Sequence, residues 1–103
     1  MALTKFRKVI MALFTVRVEL REAEREDYAV LHEEMALRGF GDTITGSSGS
    51  TYQLPDAEYN YEGKATRAEV LAMAKAAAEE TGVEYAVFVT EAAGRTWFNL
   101  RPA

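Results

Sequence analysis

The strongest constraint in this chain is a strict alternation near its start. Phe14, Val16, Val18 and Leu20 interleave with Thr15, Arg17, Glu19 and Arg21. A period of two puts the apolar residues on one face of a strand and the polar residues on the other. Such a strand needs cover on one side only, so the chain must supply helices for that side. With 103 residues it has enough length for one domain and one core.

Two helical segments are available. The acidic run from Glu22 to Asp27 suits the positive end of a helix start. Tyr28, Leu31 and Met35 then recur at helical spacing, flanked by Val30 and Leu37. Gly39 is predicted to stop this helix, with Phe40 folding back on its last turn. Thr66-Arg67-Ala68-Glu69 reads as a capping box opening a second helix. That helix carries Val70, Leu71, Ala74, Ala77 and Ala78 and stops at Gly82. Small alanines on its inner face let it lie close to a sheet.

Extended segments fill the rest. Thr43-Ile44-Thr45 and Thr51-Tyr52-Gln53-Leu54 flank Gly46-Ser47-Ser48-Gly49, a hairpin turn signal. Pro55 interrupts the second run, and Ala57 to Tyr61 resumes it. Tyr85 to Thr90 is apolar on both faces and is therefore expected at the centre of the sheet. The order strand, helix, strand, strand, helix, strand predicts a ferredoxin-like α+β sandwich, with two helices on one face of an antiparallel sheet. Residues 11–103 form the expected domain, and residues 1–10 are expected to be a loosely held extension, with Met11 a second candidate start.

Composition narrows the chemistry. The absence of cysteine excludes disulfides and thiolate metal sites and fits a reducing, cytoplasmic setting. No segment approaches the ~20 apolar residues of a membrane span. The net charge of −4 counts against strong non-specific binding to nucleic acid, leaving only a local basic patch for that purpose. His32, the only histidine, lies beside Leu31 and reads as a surface or partly buried imidazole rather than part of a triad. Glu24, Glu26, Asp27, Glu33 and Glu34 read as a solvated helix face, so no metal site and no cofactor is expected. The GSSG turn lacks the lysine and following helix of a phosphate loop.

The uncovered sheet face is the better place for function. It should present Thr15, Arg17, Glu19 and Arg21. Tyr59 and Tyr61 share one face of the third strand, and Glu58, Asn60 and Glu62 share the other. Tyrosines turned outward beside Arg17 and Arg21 would make an RNA-binding face, with rings stacking on bases and cations holding phosphates. Tyrosines turned inward would pack beneath the helices with their phenol tips at the rim, and alternation favours this arrangement. Trp97 and Phe98, in a tail with no clear period, either cap the open sheet or anchor a protein interface, with capping preferred.

The segments FTVRVEL, DYAVLHEEMALRGF, TITGSSGS and YQLPDAEYNYEGKATRAEVLAMA, in this order, resemble the GhoS-type antitoxin family. These are small ferredoxin-like proteins related in shape to the nucleases of CRISPR spacer acquisition. The resemblance spans roughly Phe14 to Thr90. It implies a bacterial or phage regulator that binds or cleaves single-stranded RNA. The related nucleases carry an acidic residue near the end of the first strand, where this chain has Glu19. The resemblance thus implies Glu19 as a base and Arg17 or Arg21 as the cation that stabilises a phosphorane. The alternative expectation is a non-enzymatic interaction module, paired as a homodimer through sheets or edge strands.

Overall fold

The computed structural model describes residues 11–103. The extension expected at 1–10 lies outside the described residues. Seven elements follow in the order β1 (Ala12–Leu20), α1 (Arg25–Leu37), β2 (Thr43–Thr45), β3 (Thr51–Gln53), β4 (Glu58–Gly63), α2 (Arg67–Glu79) and β5 (Tyr85–Ala92). β1 lies between β4 and β5 in a three-stranded sheet, antiparallel to both. The alternating residues of β1 behave as their pattern demands. Phe14, Val16, Val18 and Leu20 are buried in one cluster with Leu31 and Met35 of α1 and Val70, Ala74, Ala77 and Ala78 of α2. Both helices therefore cover the same face of the sheet, and the α+β sandwich expected from the element order is met.

The helix ends follow from local chemistry. At the start of α1 the Asp27 carboxylate accepts from the Glu24 backbone N–H at 2.8 Å. At its end Gly39 adopts φ +88°, which costs glycine least. The Gly39 N–H then bonds the Ala36 carbonyl and the Phe40 N–H bonds that of Met35, each at 3.0 Å. This paired closure of the last turn buries Phe40 against the core. At the start of α2 the Thr66 hydroxyl accepts from the Glu69 N–H at 3.1 Å, and the Glu69 carboxylate accepts from the Thr66 N–H at 2.8 Å. The capping box read from the sequence is thus present in both halves.

Two expectations need correction. The first concerns the last strand. β5 is an edge strand, not a central one, and β1 holds the centre. Val87 and Val89 pack on the core, while Phe88 points the other way and is 69% exposed. An apolar residue on the free face imitated the double-sided burial of a central strand. The second concerns the segment around Pro55. The segments on its two sides are not one interrupted strand. β3 pairs with β2 in a separate two-stranded sheet, and β4 joins the main sheet. The connection between the sheets is a single bridge, with Gly41 and Asn60 exchanging backbone hydrogen bonds at 2.9 and 2.7 Å. The chain end then runs beside β3: the Gln53 N–H bonds the Arg101 carbonyl at 2.8 Å and the Ala103 N–H bonds the Thr51 carbonyl at 3.0 Å.

Candidate functional site

The register of the sheet makes a notch. β4 pairs with β1 only over Ala12 to Arg17, while β5 continues beside it to Leu20. Beyond Arg17, one edge of β1 has lost its neighbouring strand, and other groups take its place. The Ala57 carbonyl accepts from the Val18 N–H at 3.0 Å. The Tyr28 hydroxyl lies 3.3 Å from both the N–H and the carbonyl oxygen of Leu20, accepting from one and donating to the other. The backbone polar groups are satisfied without a strand, and the space is left open.

That space is a cleft of about 490 Å³ lined by Arg17 and Glu19 of β1, Arg25, Tyr28 and His32 of α1, and the Asp56–Ala57 turn. Ala57 holds φ +63°, a left-handed conformation that strains a residue with a Cβ. The cleft unites two residues singled out in the sequence, Arg17 and Glu19, with three that were not. Arg25 and Tyr28 were read only as helix residues, and His32 as a bland imidazole. The missed signal was spacing: Arg25, Tyr28 and His32 stand three and four residues apart and so share a helix face.

His32 is exposed, and its Nδ1 lies 2.6 Å from the hydroxyl of Tyr59. Tyr59 is 2% exposed and inside the core cluster. Burial, with smaller contributions from Asp42, Tyr28 and Asp56, raises its pKa well above the ordinary phenol range. The phenol therefore keeps its proton. It donates to Nδ1 or accepts from Nδ1–H, according to the tautomer of the ring. In either case Nε2 is the ring nitrogen left for chemistry.

The charged groups divide by commitment. Arg17 pairs loosely with Glu58, at 3.6 Å. Arg21 lies outside the cleft lining and is drawn to Glu84 at 3.1 Å and Glu19 at 3.6 Å. Exposed pairs of this kind are worth ~0–1 kcal/mol and yield readily to a better partner. Among the described residues Arg25 makes no ion pair at all. Among the same residues no group of three or more His, Cys, Asp or Glu side chains is gathered for a metal.

Neither tyrosine of β4 lies on the free face. Tyr59 opposes Val16 and Tyr61 opposes Phe14, both core residues. The Tyr61 ring packs 5.0 Å from Phe40 and 6.1 Å from Phe14, centroid to centroid. Base stacking by this pair is ruled out by its direction, and the inward arrangement that alternation favoured is the one present. The aromatic tail also differs from expectation. Trp97 packs at 5.8 Å on Tyr52 of the β2–β3 hairpin rather than over the main sheet. Phe98 is 92% exposed and caps nothing. It is Arg95 that reaches the sheet, donating to Asn60 Oδ1 at 2.8 Å and Thr15 Oγ1 at 3.3 Å.

No protein-family model, curated protein or solved structure matches the chain. No helix among the described residues is long and apolar enough to cross a membrane.

Proposed function

We propose that this protein is a small RNA-directed regulator, and that the cleft beside β1 binds and cleaves a single-stranded RNA phosphodiester. The observation that carries the reading is one cavity lined by two arginines, two carboxylates and a histidine backed by a buried phenol. Those are the groups that transfer of a phosphoryl centre to a neighbouring 2′-hydroxyl requires. Glu19 takes the proton of the 2′-hydroxyl as its oxygen bonds to phosphorus. The bond from phosphorus to the 5′-oxygen breaks, and that oxygen takes the Nε2 proton of the His32 imidazolium. Arg17 and Arg25 balance the charge that accumulates on the non-bridging oxygens. The products are a 2′,3′-cyclic phosphate and a free 5′-hydroxyl. The resemblance to GhoS-type antitoxins points to the same substrate class. The net charge of −4 weakens general attraction to nucleic acid, so affinity rests on the local arginines.

A labelled single-stranded RNA titrated at low salt tests binding by fluorescence anisotropy. Arg25→Ala should weaken it about tenfold, as loss of one charge-assisted contact does. It should also flatten the dependence of log affinity on log salt by roughly 0.7. Wild-type protein that neither binds nor cuts RNA at low salt ends this reading.

A second reading is favoured by one feature. β5 is a sheet edge whose free-face residue Phe88 is 69% exposed. Pairing of this edge with its copy would extend the sheet antiparallel across a two-fold axis and cover both Phe88 rings. Light scattering should then give twice the chain mass, falling to the single mass in a Phe88→Lys variant. A single mass for the unaltered protein at high concentration would dismiss the dimer.

A further inference from the structure

A second cavity lies farther along β1, toward the start of the strand. It measures about 470 Å³ and is lined by Leu13 of β1, Tyr52 of β3, Ser47 and Ser48 of the hairpin turn, and Arg95 and Trp97 of the tail. The wall is aromatic on one side: Trp97 stands against Tyr52 and presses on the backbone at Gly46, where a Cβ would meet the indole at 3.3 Å. The turn is closed by its glycine ends, with the Gly49 N–H on the Gly46 carbonyl at 2.9 Å. Ser47 and Ser48 are exposed residues of this lining. The Arg95 guanidinium is half-buried, and its neighbours Thr15 and Asn60 are neutral. Among the described residues it has no carboxylate within ion-pair distance, and Glu62 acts on it only from farther off.

We infer that this cavity is a nucleotide subsite: the base stacks on Trp97, and Arg95 with the two serine hydroxyls takes the phosphate. Indole and guanidinium are the pair that recognise a base and its phosphate together. A neutral ligand would leave the half-buried cation unmatched, and an apolar one would leave the hydroxyls idle. The position adds a second argument. Leu13, Thr15 and Arg17 alternate onto one face of β1, so the subsite and the cleft of His32 share a strand. At ~3.3 Å per residue, Leu13 and Arg17 are ~13 Å apart. Arg95, held on Thr15, stands between them. A single strand lying along β1 would place one phosphodiester at the cleft and a flanking nucleotide on Trp97. That extension rests on the RNA reading; the nucleotide subsite itself does not.

Trp97 is the only tryptophan in the chain, so its emission reports this cavity alone. The full-length protein is titrated with adenosine 5′-monophosphate, adenosine, ribose 5-phosphate and a short single-stranded RNA. Adenosine 5′-monophosphate should quench the emission saturably, and adenosine should do so about tenfold more weakly. Ribose 5-phosphate should compete without quenching. Arg95→Gln should weaken the mononucleotide about tenfold, with the emission maximum of the free variant showing that the indole keeps its seat. Trp97→Leu, followed by anisotropy of labelled RNA, should weaken the RNA without removing binding at the cleft. Emission that ignores millimolar mononucleotide and bound RNA alike overturns the subsite, and RNA still cut at the cleft would leave the first reading intact. Mononucleotide that quenches while no RNA is cut upholds the subsite and removes the cleavage reading.

Discussion

Replacing His32 with alanine is expected to lower RNA cleavage by roughly 10²–10⁴-fold, the range for loss of a positioned proton donor. RNA binding should change little, because Arg17 and Arg25 remain in the cleft. Stability should change by less than ~1 kcal/mol, since the ring is exposed and water can take its place on the Tyr59 hydroxyl. The diagnostic readout is the split between cutting, which should be lost, and RNA affinity, which should be kept. His32→Gln offers a donor of similar reach that cannot shuttle a proton, so it should preserve binding and fail to cut. If His32→Ala cuts RNA at the wild-type rate, the cleft is not the catalytic centre.

The second large effect concerns stability. Tyr59→Ala should cost about 3–5 kcal/mol, as removal of a buried aromatic ring from a packed core does. That is a large share of the ~5–15 kcal/mol that holds a small domain folded. Urea unfolding should show a much lower midpoint with an unchanged slope. Tyr59→Phe separates the ring from its hydroxyl. It should retain most of the stability, losing ~1 kcal/mol, and should slow cleavage by leaving His32 Nδ1 without its partner. A structural tyrosine with no link to the cleft would leave the cleavage rate of Tyr59→Phe unmoved. Tyr59 also sets an alkaline limit. Its pKa is raised in the fold, so above the ordinary phenol value of 10.0 the unfolded chain releases a proton that the folded one retains. Stability present below that pH is lost as pH climbs toward the folded value, and Tyr59→Phe should lose less of it.

Local rules carried much of the fold. The β1 alternation, the Gly39 stop, the Thr66–Glu69 box and the GSSG turn each depend on residues close in sequence. Elements of that kind are specified by side-chain period and backbone chemistry, which a single chain displays directly. Two residues of the candidate cleft were readable in the same way: Arg17 and Glu19 alternate onto the free face of β1.

Partner choice was not readable, because it is settled by packing between distant segments. Val87 and Phe88 look equally apolar in sequence, yet only burial distinguishes the core face of an edge strand from its open face. The Pro55 segment shows two extended runs in either case, and only pairing sends β3 to the hairpin and β4 to the main sheet. The notch exists because β4 stops opposite Arg17 while β1 and β5 continue. His32 acquires its place at the notch from Tyr59, a residue 27 positions away, through one 2.6 Å hydrogen bond. The sequence by itself determined which residues of β1 and of the two helices could lie inward and where those helices are capped. The tertiary structure alone decided which strand took the centre, which edge was left open and which side chains met there, since those choices depend on contacts between segments that no local period encodes.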